Sequence, residues 1–322
     1  MYTEYLGPTD QTNLLIPILE QAALKIQHGG LLAFPTETVY GIGTSIFNST
    51  AIKQLYAIKQ KSKDRAIPVY ISNLNQINFL ATNIPQEFYR IANELLPAPI
   101  TIILKKHPNF SSLITGNKET IVVHFSSSSI LQRLIELTGC PLAITAANIS
   151  GKPRSIQARH VLEDFNGAID GILDGGQTDY GLESTILSLE NPKIPTIFRL
   201  GLVLPRTLEK ILKQPVKIHP LALLKQGSHF SNQLKANIHL FSNWEGLDSY
   251  LKLSLPGKRL IMHAEKSPFK LKYKFFALNS KNFYEGLRLA ERENYTETLV
   301  HCSSIVKHNE ALFSRLKQLA KL

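Results

Sequence analysis

"GGLLAFPTETVYGIG", residues 29–43, runs an apolar stretch into Thr36, Glu37, Thr38 and Tyr40 and closes on Gly41 and Gly43. The apolar part reads as a buried strand. Polar loops at strand ends are where open α/β proteins place their sites, so a strand ending in this many hydrogen-bonding side chains marks a candidate site. Outward from it, apolar strands alternate with amphipathic helices, the pattern of an α/β fold. "NSTAIKQLYAIKQK" (48–61) has Asn48 or Ser49 as N-cap and apolar Ile52, Leu55, Tyr56 and Ile58, so it predicts a helix with one buried face. "AIPVYI" (66–71) follows as a strand. "PQEFYRIANELL" (85–96) begins with a proline suited to a first helical turn and leads into the strand "ITIILKK" (100–106). Next come "TIVVHF" (120–125) as a strand, "SILQRLIELTG" (129–139) as a helix stopped by Gly139, and "PLAIT" (141–145) as a strand. This strand also ends in polar residues, in "AANISG" (146–151). A helix over 155–165, short strands over 168–174, 183–189 and 196–201, and a helix from Pro205 complete the region.

Periodicity fails over 214–235, which reads as an interdomain linker between a domain over 1–213 and a small one over 236–322. In the latter, the strands "NIHLF", "RLIMHA", "KFFAL" and "TLVHCSS" interleave with three helices, which predicts a small Rossmann-like sandwich. Two domains suit a chain of 322 residues with 43% hydrophobic content. No apolar run approaches the ~20 residues of a membrane span, and "MYTEYLGPTD" has no signal-peptide character, so a cytoplasmic protein is expected. Cys140 and Cys302, far apart and without a CxxC partner, read as reduced core residues. The formal charge of +11 suits anionic partners such as nucleotides or RNA. It equally suits a solubility surface, because the basic residues are dispersed and their longest cluster is the short "KQKSKDR" (59–65).

The usual nucleotide signatures are missing: there is no GxxxxGK[ST], and no GxGxxG after a strand. The ten histidines are scattered, which argues against a structural metal, and no GxSxG elbow occurs. What remains is a set of loops bearing Thr, Ser, Asn, Lys and Arg, suited to an anionic ligand.

"FPTETVYGIG", "IKQKSKDRAIPVYI", "LLPAPITIIL", "IVVHFSSSSILQRLIELTGCPLAITAANISGKP" and "GGQTDYGLESTI...IFRLG" occur in the order and spacing of the YrdC-like threonylcarbamoyl-AMP synthases, which the chain resembles over about residues 10–205. The linker and C-terminal part resemble the long, two-domain branch of that family. The resemblance implies a YrdC-like twisted mixed sheet with flanking helices plus the small Rossmann-like α/β domain. It also implies a nucleotidyltransferase that joins L-threonine, bicarbonate and ATP, with Mg²⁺, into threonylcarbamoyl-adenylate and pyrophosphate. This is the first step of threonylcarbamoyladenosine formation in tRNA, and enzymes that transfer the group to tRNA would act downstream. Such chemistry rests on positioning and on neutralising phosphate charge rather than on a dedicated acid–base pair.

Carried over residue by residue, the resemblance implies that Thr36, Tyr70, His124 and Ser184 bind threonine. Lys59, Arg65, Thr120, Asn148, Arg154 and Arg199 would contact ATP, with Lys59, Lys61 and Asn148 closest to the chemistry. Each has a plainer alternative. Thr36 after Pro35 also suits a turn, and Asn148 an Asx turn. Lys59, Lys61 and Lys63 suit a helix C-terminus, Ser184 an exposed strand position and Arg199 a solvated charge. The chain departs from the family pattern at several contacts. Lys59-Gln60-Lys61 stands for KxR, which keeps charge and loses the planar fork. Ala146-Ala147-Asn148 stands for SxN, and His124, whose charge near neutral pH is conditional, for the arginine of VxVR. "LPAPIT" stands for WPGPLT and Arg154-Ser155-Ile156 for SPT, with Arg154 offering a compensating cation. "QGSHFS", with His229 and Phe230, falls where two-domain relatives carry a segment that folds over the nucleotide. Two function classes follow: an active synthase, or a catalytically weakened member acting as an RNA-binding or scaffold protein. Carbamoyl transfer in hydrogenase maturation would call for acylphosphatase and zinc-finger regions, which this sequence lacks.

Overall fold

The computed structural model describes residues 2–8, 12–60, 62–223 and 234–320. The chain divides into two compact units, Met1–Ser150 with Arg154–Ala222, and Gly151–Pro153 with Leu223–Leu322.

The strands of the first unit are β1 (Glu4–Leu6), β2 (Leu32–Phe34), β3 (Gly41–Ser45), β4 (Val69–Ile71), β5 (Ile100–Lys105), β6 (Thr120–Phe125), β7 (Leu142–Ala146), β8 (Gly171–Leu173), β9 (Thr185–Ser188), β10 (Thr196–Arg199) and β11 (Lys217–Ile218). Among the described residues they form one sheet in the order β1-β8-β2-β3-β7-β4-β6-β5-β9-β10-β11. The sheet is mixed: β2–β3, β3–β7 and β5–β6 are antiparallel, while β4–β6 and β5–β9 are parallel. Residues 29–43 are thus a strand, a polar loop and the start of a second strand antiparallel to the first. Their last two glycines are needed for close packing on β7. A Cβ at Gly41 would lie 2.5 Å from Ile144 Cγ2, and one at Gly43 2.5 Å from the Ala143 carbonyl oxygen.

Apolar layers cover both faces of this sheet. One gathers Ile52, Leu55, Phe88, Ile91, Leu208 and Ile211 against Ile102 and Val123. Ser49–Ile58 supplies part of it: the Asn48 side chain caps this helix by accepting from the Ala51 amide at 2.9 Å, and Ala51, Ile52, Leu55 and Tyr56 are buried. The other layer joins Leu131, Leu134 and Ile135 to Leu19, Ala22, Ala23 and Ile26. The former belong to Ser129–Thr138, which ends in left-handed Gly139 as the sequence predicts. The latter belong to the helix Thr12–Gln27, for which the sequence reading offered no element; its buried residues recur at the i, i+3, i+4, i+7 spacing of a single helical face.

The second unit holds a parallel sheet of β12 (Asn237–Phe241), β13 (Arg259–His263), β14 (Lys274–Ala277) and β15 (Glu297–His301), in the order β12-β15-β13-β14. Its last strand lies between the first and second, a departure from the 3-2-1-4 opening of the dinucleotide-binding fold. Trp244 and Leu247 of the helix Trp244–Leu253 pack on Ile261 and Leu299. Within the stretch 214–235, Lys217–Ile218 pair with β10 and Pro220–Leu223 form a helical turn, while residues 224–233 lie outside the described ones. Cys140 and Cys302 are buried free thiols, and burial pushes that of Cys302 up to about 11. No helix among the described residues is long and apolar enough to cross a membrane.

Candidate functional site

Strand register assembles the first half of the site. β4, β6 and β5 are neighbours, and Tyr70, His124 and Thr101 are register partners on them, so the three side chains meet side by side. β9 pairs with β5 on its other edge, which brings Ser184, the residue before β9, to Thr101. The chain then returns through β10 and folds back at Gly201, where a Cβ would lie 2.5 Å from the Ser184 carbonyl carbon and the Thr185 nitrogen. That close approach seats Arg199 on Ser184.

A line of hydrogen bonds results. Arg199 Nε donates to the Ser184 carbonyl at 2.8 Å and its Nη2 donates to Ser184 Oγ at 2.9 Å. Ser184 Oγ lies 2.8 Å from Thr101 Oγ1, which lies 2.9 Å from His124 Nδ1. His124 Nε2 is 2.7 Å from Glu37 Oε1, and the Ser126 hydroxyl donates to Glu37 Oε2. Glu37, Thr101, His124, Ser126 and Ser184 are all buried. Burial alone would raise the Glu37 carboxyl. The charge and hydrogen bond of His124, with the Ser126 hydroxyl, outweigh it and hold Glu37 below the usual carboxylate range. The Tyr70 ring lies 4.5 Å from that of His124; burial, together with the charge of Glu37, pushes its phenol up against the opposing pull of Arg199.

The second half is cationic. Lys59 caps the C-terminus of Ser49–Ile58, but its ammonium turns to the end of β7, donating to the Ala146 carbonyl at 2.8 Å and to that of Asn148. It also lies over the Phe165 ring, 5.3 Å from the centroid. The Asn148 side-chain oxygen accepts from Arg154 Nη1 at 2.9 Å, and Arg154 Nε donates to Glu183 Oε1 at 3.0 Å. Glu183 precedes Ser184 in the chain, so the two halves adjoin. The loop after β7 is tied to the loop after β2: the Ala147 amide donates to the Tyr40 carbonyl at 2.8 Å and the Tyr40 amide to the Ser155 carbonyl at 2.7 Å. Thr36 closes its own turn, donating to the Val39 carbonyl at 2.7 Å and accepting from the Thr38 and Val39 amides.

His124, Ser184 and Arg199 therefore gather in one network, with the Tyr70 ring against His124, and Lys59, Asn148 and Arg154 in the next. Thr36 has its hydroxyl engaged in the turn that carries Glu37. Both ring nitrogens of His124 are occupied within the protein. Thr120 starts β6 opposite Lys105, four residues from His124, or about 13 Å along the strand. Arg65 is exposed, and among the described residues neither it nor Thr120 is hydrogen-bonded into either network. Lys61, His229 and Phe230 lie outside the described residues. The sequence reading assigned no role to Thr101, Ser126, Glu183 or, beyond its place in the polar cluster, Glu37. Thr101 carried a signal, as the lone hydroxyl inside the apolar strand "ITIIL". No group of three or more His, Cys, Asp or Glu among the described residues is arranged to hold a metal ion. The nearest carboxylates, Glu37 and Glu183, are bonded to His124 and Arg154.

The chain resembles known proteins along this same region. The threonylcarbamoyl-AMP synthase of Pyrococcus abyssi is 40% identical over 200 residues, 62% of this chain and 58% of that protein. That of Bacillus subtilis is 34% identical over 209 residues, 65% of this chain and 60% of its own. The alignments thus span about three fifths of these curated relatives. Among solved structures, P. abyssi Sua5 complexed with L-threonine superposes with a TM-score of 0.83 at 27% identity, covering 99% of this chain and 97% of that one. Escherichia coli YciO shares the fold, with a TM-score of 0.54 at 20% identity over 64% of this chain and 98% of its own. The profile of the Sua5/YciO/YrdC family, described as telomere recombination, matches residues 25–201, more than half of the sequence. The chain belongs to the Sua5/YciO/YrdC family.

Proposed function

We propose that this chain is a threonylcarbamoyl-AMP synthase that converts L-threonine, bicarbonate and ATP into threonylcarbamoyl-adenylate, pyrophosphate and water. The observation that carries the reading is the adjacency of a buried hydroxyl and imidazole network at Thr101, His124 and Ser184, with the Tyr70 ring packed on His124, to the cations of Lys59, Arg154 and Arg199. The similarity to synthases, one of them solved with threonine bound, supports it over a weakened RNA-binding or scaffold role.

In this reading the threonine amine and bicarbonate condense to N-carboxythreonine and water. A carbamate oxygen then attacks the α-phosphorus of ATP, and the bond to the pyrophosphate oxygen breaks. Ser184 and Tyr70 hold the amino acid. The Arg199 fork, half-buried on Ser184, and Arg154 face phosphate oxygens, where a planar guanidinium gains most. Lys59 fixes the Ala146–Asn148 turn and adds positive potential beside the reacting phosphate. With Glu37 and Glu183 engaged, the described residues suit phosphate oxygens better than a bare ion. Mg²⁺ therefore enters on the nucleotide, as part of the substrate. The adenylate is reactive, so an enzyme that passes the group to tRNA in the cytoplasm follows it, and the charge of +11 suits a passing contact with RNA.

The test is release of pyrophosphate from purified protein, with ATP, Mg²⁺, bicarbonate and threonine omitted in turn. Release should need both bicarbonate and threonine. Release that proceeds equally without threonine would remove the synthase reading.

A further inference from the structure

Four hydrogen bonds join five groups in a line: Arg199 to Ser184 at 2.9 Å, Ser184 to Thr101 at 2.8 Å, Thr101 to His124 at 2.9 Å and His124 to Glu37 at 2.7 Å. Chemistry fixes both ends. A guanidinium only donates, and an ionised carboxylate only accepts. Glu37 takes the acceptor end because its two oxygens face His124 Nε2 and the Ser126 hydroxyl, both of which can donate to an ionised carboxylate. With a neutral imidazole, Arg199, Ser184, Thr101 and His124 each place one hydrogen in the line, so every link is made once and each donor points toward Glu37. A second proton on His124 leaves one hydrogen more than there are links. The Thr101 and Ser184 hydroxyls then reverse, and the surplus hydrogen emerges on Ser184, beside half-buried Arg199. The line thus has the donors and acceptors to carry one proton between a group on Ser184 and the His124–Glu37 pair.

We propose that this line is the general-base relay that strips the ammonium proton from an amino-acid substrate held at Ser184 and stores it on His124. The inference rests on the function proposed above, because threonine is bound as an ammonium, which has no lone pair with which to take up bicarbonate. The substrate N–H bond breaks as an O–H bond forms on Ser184. The serine passes its own proton to Thr101 Oγ1, and the threonine passes its own to His124 Nδ1. The amine keeps the electron pair, and the imidazolium rests against the Glu37 carboxylate. Three charged or titratable groups face the imidazole and hydroxyls: Glu37 from the loop after β2, Tyr70 from β4 and Arg199 from β10. Thr101, His124 and Glu37 act through Ser184 and are positioning residues.

Thr101→Val keeps the side-chain shape and deletes the middle link, and Thr101→Ser restores it. Threonine-dependent pyrophosphate release by the valine variant should fall about 10²- to 10⁴-fold at pH 7, the usual share of general acid–base catalysis. The deficit should shrink about tenfold per pH unit as pH climbs toward the ionisation of the free ammonium, because free amine then needs no base. Threonine affinity, measured by calorimetry, should stay within about threefold, and the serine variant should return to within a few-fold of the unmodified chain. A deficit that stays constant with pH, or no deficit, overturns the relay and leaves the synthase reading standing. An unmodified chain that releases no threonine-dependent pyrophosphate overturns both, and shows it before any variant is made. Should the valine variant fail to fold, the unmodified chain supplies a second reading. Its turnover in mixtures of light and heavy water should fall along a curve, as for several protons in flight, and an absent isotope effect overturns the relay.

Discussion

Glu37 is the residue on which the site's electrostatics turn. A buried carboxylate costs several kcal/mol unless it is paired, and here a ring nitrogen and a hydroxyl pair it. Because its carboxyl is held below the ordinary value, the unfolded chain binds a proton more readily than the folded one does. Its stabilising effect is therefore complete above the unfolded glutamate value of about 4.3 and is lost as pH falls through the lower folded value. Glu37→Gln should lower the unfolding free energy at pH 7 by about 1.5–3 kcal/mol, the scale of a hydrogen bond to a charged group. Its stability should also decline less steeply than that of the unmodified chain below about pH 4.3. Urea unfolding at a series of pH values between 7 and 3 reads both effects, and parallel curves would show that Glu37 does not hold the charge assigned to it. The composition at this scale was legible in the sequence: "PTETVY" announced a polar cluster, and "AAN" and "EST" announced its companions. The partners were not. Glu37 and His124 stand 87 positions apart, and Thr101 and Ser184 stand 83 apart. Only strand register decides that they touch, and His124, expected to offer charge to a ligand, spends both ring nitrogens inside the protein.

At the scale of elements, local signals were dependable where a cap or a period marked them. Of Asn48 and Ser49, the two cap candidates, Asn48 caps the helix, "TIVVHF" is β6 from first residue to last, and Gly139 ends its helix in the left-handed conformation. The helix Thr12–Gln27 carries its period just as plainly in Leu19, Ala22, Ala23 and Ile26, yet it includes Pro17 and has no acidic residue in its first turn, so the usual start signals are weak. The two-residue β11 has no length from which to show a period at all. Gly201 lets the segment after β10 lie on the backbone of Glu183–Thr185. Gly201→Ala should push these segments apart, cost about 1–3 kcal/mol of stability as overpacking, and weaken threonine binding by loosening Arg199 from Ser184. Thermal unfolding and threonine titration check the two effects. Unchanged affinity in a destabilised variant would show that the Arg199–Ser184 contact does not support the amino-acid pocket.

Across the whole molecule, the alternation of strands and helices pointed to an α/β chain and the family resemblance to a large mixed sheet beside a small Rossmann-like one; a large mixed sheet and a small parallel one are present. Strand order was beyond the sequence. β7 pairs between β3 and β4, and β15 between β12 and β13, because non-local pairings depend on which faces bury each other rather than on any local pattern. The large sheet brings loops from β2, β7, β9 and β10 to one group of hydroxyls, cations and an imidazole, in a chain that belongs to the Sua5/YciO/YrdC family. The proposed synthase activity requires this group to join bicarbonate carbon to threonine and then to AMP. It is tested most directly by incubating the protein with labelled bicarbonate, threonine and ATP, quenching rapidly, and following the label by chromatography with mass detection. Label is expected in an adenylate that carries threonine, appearing in step with pyrophosphate and absent when threonine is replaced by alanine. Pyrophosphate formed with no label in any adenylate would contradict it.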